Sequence, residues 1–300
     1  MKVLITGING LVGQHLSELL LENEYAVAGV GRGPQRYFPK NIQNFSYYDA
    51  DITNQQTMAD VFSTELPGVV VHAAAITQID QCEVERAVCE DINVKGTANL
   101  LMIAEEISAH FIFLSTDFVF DGEMGDYSEE DHQNPLSWYG FTKVQAESLV
   151  EISELDWCIV RTCLVYGSTL DGTRSNIVTW VKKSLEEMKP IKVVTDQHRT
   201  PTYVKDLAMG IFLIISKRAV GVYHISGAEK LTPWQMAIRT ADLFRLDRSL
   251  ITPVDASVFS QPARRPPKTG FNISKAMEEL SYQPRGFEEG LQDMFSIAYQ

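Results

Sequence analysis

Along the first third of the chain, short apolar runs alternate with longer stretches in which apolar residues recur every three or four positions. Lys2-Val3-Leu4-Ile5 ends in Thr6-Gly7, after which Leu11, Leu16, Leu19 and Leu20 share one side of a helix. A second run, Ala26-Val27-Ala28-Gly29-Val30, closes on Gly31-Arg32-Gly33. A third, Phe45-Ser46-Tyr47-Tyr48, precedes a polar helix expected from Thr53. Val69-Val70-Val71-His72 has the unbroken apolar character of a strand covered on both faces, and it runs into Ala73-Ala74-Ala75. One long helix is expected over 82–107, then a strand over 110–114 that delivers Ser115-Thr116 at its carboxyl end. Further on, the pattern predicts strands over 156–165, 191–194 and 221–225, a helix over 176–188, and a helix opened by Pro201-Thr202-Tyr203-Val204. Amphipathic helices and Pro-rich loops follow from Leu231.

Strands and helices in strict alternation predict an α/β protein, a Rossmann-type doubly wound parallel sheet with a smaller, interrupted α/β lobe. The expected division is 1–165 plus 196–226 for a nucleotide-binding domain and 166–195 plus 227–300 for a substrate lobe, with the cleft between them. The first turn carries Gly7-x-x-Gly10-x-x-Gly13 between strand and helix. Gly7 permits the tight turn, Gly10 lets backbone approach a diphosphate, and Gly13 allows close helix–strand packing. The free N–H groups of the helix start favour an anion. At the end of the second strand, where a dinucleotide site selecting NAD places an acid, stands Arg32. A guanidinium there suits a 2′-phosphate and points to NADPH, with NADH the alternative.

The chain has 300 residues and a net charge of −13, from 39 acidic and 26 basic residues. That balance argues against a nucleic-acid or anionic-membrane partner. No apolar stretch approaches the ~20 residues a spanning helix needs, and the chain opens directly on a strand, so a cytoplasmic location is expected. The cysteines Cys82, Cys89, Cys158 and Cys163 form no CxxC pair, and neither a zinc site nor a disulfide framework is expected.

Tyr139 and Lys143 are four residues apart, which on a helix places phenol and ammonium on one face. A phenol titrates near ~10, and a neighbouring cation lowers that value. By itself the spacing is weak and more often marks a solvated surface pair.

Further stretches accompany it: His72-Ala73-Ala74-Ala75, Asn93-Val94-x-Gly96-Thr97, Ser115-Thr116-Asp117-Phe118-Val119-Phe120-Asp121-Gly122, Pro135-Leu136-x-x-Tyr139-Gly140-x-x-Lys143, Arg161-Thr162-x-x-Val165-Tyr166-Gly167, Asp196-Gln197-x-x-x-Pro201-Thr202 and Ala263-x-Arg265-Pro266. With the glycine turn, their order resembles the extended short-chain dehydrogenases/reductases, and within them the dTDP-4-dehydrorhamnose reductase family. The resemblance implies NADPH-dependent reduction of the C4 ketone of a nucleoside-diphosphate 4-keto-6-deoxy-hexose. In that reading Tyr139 protonates the carbonyl oxygen, Lys143 lowers the phenol's pKa and bonds the nicotinamide ribose, and Thr116 hydrogen-bonds the same carbonyl.

By position, the resemblance places the cofactor against Gly7, Asn9, Gly10, Leu11, Val12, Gly13, Arg32, Asp51, Ile52, Ala73, Ala74, Ala75, Asn93 and Ser115, besides Tyr139 and Lys143. Four residues are substrate candidates with a structural alternative each. Thr77 is a sugar contact or a strand-end cap, and Asp117 a sugar contact or a turn former. Asn176 lies near the diphosphate or caps a helix, and Arg265 neutralises the diphosphate or sits in a surface loop.

Related reductases hold Mg²⁺ between subunits through a Glu two residues after the third motif glycine. His15 stands there, so no such metal is expected; a homodimer is compatible with the sequence but not fixed by it. His198-Arg199-Thr200 replaces smaller residues and adds bulk and charge near the substrate lobe. Two other readings remain. A 4,6-dehydratase or epimerase shares Thr, Tyr and Lys, but dehydratases carry Asp-Glu after the Thr where this chain has Asp117-Phe118. A regulatory subunit resembling that of methionine adenosyltransferase shares the fold without catalysing.

Overall fold

The computed structural model describes residues 1–169 and 176–296; residues 170–175 and 297–300, which fall within the expected substrate lobe, lie outside the described residues. In chain order the strands are β1 (Lys2–Thr6), β2 (Ala26–Gly31), β3 (Phe45–Asp49), β4 (Val69–His72), β5 (His110–Thr116), β6 (Trp157–Thr162), β7 (Val165–Tyr166), β8 (Ile191–Val194), β9 (Thr202–Tyr203), β10 (Gly221–His224) and β11 (Ile251–Val254). The α-helices are α1 (Leu11–Glu22), α2 (Gln55–Glu65), α3 (Ile79–Val84), α4 (Arg86–Glu90), α5 (Gly96–Glu106), α6 (Trp138–Glu151), α7 (Ile177–Glu186), α8 (Val204–Lys217), α9 (Pro233–Leu243), α10 (Ser274–Leu280) and α11 (Phe287–Met294).

Seven strands form one sheet in the order β10-β6-β5-β4-β1-β2-β3, every pairing parallel. This is the doubly wound Rossmann-type sheet predicted from the alternation. Val69, Val70 and Val71 are fully buried because helices cover both faces of the sheet. Chain order reverses between β1 and β4, and a crevice opens beyond the carboxyl ends of strands at such a switch point.

Beside this body, β8 pairs with β11. Val181, Leu185, Ile191, Val193, Ala237, Ala241 and Ile251 form a separate apolar core under α7 and α9.

Three elements differ from the sequence expectation. The helix expected over 82–107 starts at Ile79 and is interrupted: α3 breaks at Glu85, and a π-helical turn over Asp91–Lys95 separates α4 from α5. The cause is tertiary. The Asn93 side chain accepts from Ile76 N at 2.9 Å and donates to Ile76 O at 3.1 Å, which holds the π-turn against the loop after β4. The strand expected over 156–165 ends at Thr162, because Leu164 turns the chain with φ 39° and only Val165–Tyr166 resume, pairing with β9. The polar helix starts at Gln55, capped by Asn54, whose carbonyl oxygen accepts from Thr57 N.

Candidate active site

A continuous cleft runs across the carboxyl ends of β1, β2, β4 and β5, with Gly7, Gly10, Ala73, Ala75 and Thr77 lining both halves. Its floor is made by close backbone approach. Gly7 has φ 74°, and a Cβ there would lie 2.9 Å from Ala74 N, so a side chain at Gly7 would be both strained and in collision. In the half beyond β2, Arg32, Asp51 and Ile52 line the wall, together with Asn9. Arg32 pairs with Asp51 at 3.6 Å. Leu11, Val12, Gly13, Ser115, Thr116, Asp117, Tyr139, Lys143 and Asn176 line the other half.

Arg36 was not singled out from sequence, yet it lines the same wall as Arg32. Asn9 Oδ1 accepts from Arg36 N at 3.0 Å, and Asn9 Nδ2 donates to the Tyr47 hydroxyl at 3.2 Å. The Tyr47 hydroxyl donates to Gly33 O at 2.5 Å. Asn9 and Tyr47 thus staple the 31–36 loop over the glycine turn, and both arginines stand at one rim. The only sequence signal was a second arginine four residues after Arg32.

Helix α6 carries both Tyr139 and Lys143. Ser137 caps it by accepting from Gly140 N at 3.2 Å. Gly140 lets the helix close on β5, since a Cβ there would strike Phe118 O. Tyr139, Lys143 and Glu147 therefore share the face turned to β5. Tyr139 is only 8% exposed, lines the cleft together with Thr116, and meets the Phe118 ring edge-on at 6.0 Å. Lys143 Nζ donates to Leu114 O at 2.8 Å and sits 3.8 Å from the Phe113 ring centroid.

The expected direction of the phenol's shift is reversed. Burial raises the Tyr139 pKa and outweighs the lowering by the neighbouring Thr116 side chain. Burial also pushes Lys143 down, to about 7, against the raising effect of Glu147. Both groups are starved of water, so each disfavours its charged form. Tyr139 therefore holds its proton, which leaves it a donor to any oxygen placed beside it.

Behind Lys143 lies a buried ionic cluster. Arg161 on β6 pairs with Glu147 at 2.7 Å; the two are 3% and 1% exposed. Ser115 also hydrogen-bonds Glu147, and Gln133 donates to it at 2.5 Å. Ser115 lines the cleft with its hydroxyl already engaged. His72, with its pKa pushed down to about 3 by burial, is a neutral bridge between Thr6 at 2.8 Å and Thr97 at 3.0 Å.

The remaining candidates divide. Asn176 caps α7 through a capping box and also lines the cleft. Thr77 lines the cleft in both halves. Asn93 lines neither half; it is buried, with its amide shared among Ile76, Cys89 and Thr142. Arg265 is paired with Asp80 at 2.7 Å. Asp117 is buried beneath the cleft, its pKa raised by burial and pulled back by Arg199 and its hydrogen bonds. Arg199 is buried rather than displayed to the cleft. His15 is bound to Ser168 O at 2.8 Å. All four cysteines are buried thiols.

A family model described as RmlD substrate binding domain matches residues 1–299. The chain belongs to that family. Its relatives include the spore coat polysaccharide biosynthesis protein SpsK of Bacillus subtilis, 30% identical over 97% of this chain and 96% of that one. The methionine adenosyltransferase 2 subunit beta of Mus musculus is also 30% identical, over 97% of this chain and 86% of that one. Among solved structures, dTDP-4-dehydrorhamnose reductase from Bacillus anthracis in complex with NADP superposes with a TM-score of 0.86 at 29% identity, covering 99% of both chains. A dTDP-4-dehydrorhamnose reductase and a methionine adenosyltransferase subunit thus have similar sequence identity to this chain. Among the described residues, no helix is long and apolar enough to cross a membrane.

Proposed function

We propose that the chain is an NADPH-dependent reductase of the C4 ketone of a nucleoside-diphosphate 4-keto-6-deoxy-hexose, acting in the cytoplasm. The observation that carries this reading is the convergence of Thr116, Tyr139 and Lys143 in one half of a cleft that passes over the glycine turn to Arg32 and Asp51 in the other half. The cradle fits a dinucleotide: glycines stand where any Cβ would intrude, α1 begins at the turn with free N–H groups, and two arginines flank the adenosine end. Residues 1–165 plus 196–226 then hold the cofactor and 166–195 plus 227–300 the sugar nucleotide.

A reduced nicotinamide bound there supplies a hydride to C4. As negative charge gathers on the ketone oxygen, Tyr139 donates its proton and Thr116 donates a hydrogen bond. The Lys143 ammonium, one helical turn from Tyr139, faces the phenolate that results. Asn176 and the Arg265 loop take the diphosphate end. Ketone reduction is favoured over dehydration because Phe118, not a carboxylate, faces Tyr139, while Asp117 is tied beneath the cleft. The test is NADPH oxidation with a panel of nucleoside-diphosphate 4-keto-6-deoxy sugars. Failure with all of them, together with a stable complex with a methionine adenosyltransferase, would replace the reductase by the regulatory-subunit reading.

Two expectations follow from the same geometry. Arg32→Ala should weaken NADPH by about tenfold or more, the worth of a charge-assisted bond, and leave NADH nearly unchanged. Equal weakening of both in a binding titration removes Arg32 from the phosphate, whereas Arg36→Ala, at the same rim, should act in the same sense. The pH profile should follow Lys143: its ammonium is charged below a pKa of about 7 and neutral above, while Tyr139 keeps its proton throughout. The kcat/KM for NADPH, which reports the free enzyme, should therefore fall as pH rises through that value. A profile that rises there would deny the charge its role.

A further inference from the structure

Arg199 is a guanidinium 4% exposed beneath the substrate end of the cleft, with no part in the chemistry above. Its Nε lies 3.8 Å from Asp117 Oδ2. Nη1 donates to His198 O at 2.8 Å and Pro267 O at 3.2 Å, and Nη2 donates to Pro266 O at 2.8 Å and Gln197 Oε1 at 3.3 Å. Nη1 and Nη2 each donate to two acceptors and Nε stands at ion-pair distance from Asp117, which ties the fork inside the protein and away from a substrate phosphate.

Besides Gln197 and His198 next to it in the chain, the acceptors belong to two distant pieces of chain. Asp117 follows Thr116 at the end of β5, while Pro266 and Pro267 follow Arg265. Backbone bonds reinforce the join: His198 N donates to Pro267 O at 2.7 Å, and Thr269 N to His198 O at 3.1 Å. Thr269 also donates its hydroxyl to Asp117, as does the Cys163 thiol at 3.3 Å. Above, the Arg199 guanidinium carbon lies 5.9 Å from the centroid of Phe118, the ring that packs against Tyr139.

The consequence concerns one proton. Thr116 Oγ1 donates to Asp117 Oδ1 at 3.2 Å, and while it does so it cannot donate to a ketone. Arg199 and Thr269 both engage the other carboxylate oxygen and draw its charge away from Thr116, weakening Asp117 as a competitor for that proton. We propose that Arg199 is a positioning residue that ties the 263–270 loop to the Thr116 strand end, so that seating a diphosphate against the loop and aiming the Thr116 hydroxyl at the ketone become one event. This rests on the ketone-reduction reading for its chemistry, though not for its mechanical part.

Arg199→Lys keeps the charge and loses the fork. Turnover should fall by ~10-fold or more, the scale of a sub-ångström misplacement, with the dissociation constant for NADPH changed by no more than about twofold. Deuterium exchange should quicken over 263–270 and 115–120 and stay the same over 7–13. Unchanged turnover with a raised substrate KM would make Arg199 a diphosphate ligand and overturn the proposal. So would unaltered exchange in the two segments, or a parallel loss of turnover, NADPH affinity and melting temperature, the mark of general scaffolding. If the wild type reduces no sugar nucleotide, the functional reading fails by itself, and the exchange comparison still decides whether Arg199 makes the tie.

Discussion

Tyr139→Phe should lower turnover by ~10²–10⁴-fold, the usual worth of a placed general acid, while NADPH binding and the fold persist. The ring's packing against Phe118 survives the change, which removes only the hydroxyl. The phenol is the buried group whose proton faces the cleft beside Thr116, and burial keeps that proton in place until the ketone oxygen gains charge. Thr116 would remain as a hydrogen-bond donor, so a residual rate above the uncatalysed one is expected. Stopped-flow NADPH oxidation reads the result. Turnover within a factor of about three of wild type would take the acid's role away from Tyr139, since general acids rarely contribute so little.

Arg161→Met should destabilise the fold by ~3–5 kcal/mol, because it leaves Glu147 charged and buried without a partner. Three of the Arg161 donor contacts go to Glu147, at 2.7, 3.1 and 3.2 Å. Ser115 and Gln133 complete the carboxylate's shell but bring no charge. Glu147→Gln with Arg161→Met should recover much of the loss, since two uncharged groups leave no ion stranded in the core. Urea unfolding at fixed pH measures both variants. A cost below about 1 kcal/mol for the single change would mean that water reaches Glu147, contrary to its burial. The damage should also reach catalysis, since Glu147 lies on the helix that aims Tyr139 and Lys143.

What could be read from sequence was what lies close in the chain. The strand, glycine turn and helix of residues 2–22 form one continuous stretch, and Tyr139 and Lys143 are four residues apart on a helix with its own cap. Thr116 followed from ending an apolar run. The pairs that could not be read join distant segments: Arg161 with Glu147, Arg199 with Asp117, and Arg265 with Asp80 across 185 residues. No local rule announces them, because each depends on where a later loop returns to the sheet. Arg265 was recognised as a cation near the substrate lobe, but not its carboxylate partner. Arg36 escaped because the staple that raises it to the cleft runs through Asn9 and Tyr47, on two other elements. The reversed shift of Tyr139 has the same origin: adjacency to a lysine is visible in sequence, and the dryness around both is not.

The π-turn at Asp91–Lys95 acts as a dislocation between α4 and α5. One extra residue per turn advances the azimuth of everything after it by about 100° relative to an uninterrupted helix. Before the turn, Cys82 and Cys89 point at Tyr139; after it, Leu100, Ile103 and Ala104 point at the sheet. A single straight helix of this length would present one stripe and serve one neighbour. The slip in phase gives two stripes, one for the catalytic helix and one for the sheet, and Asn93 sits at the seam between them.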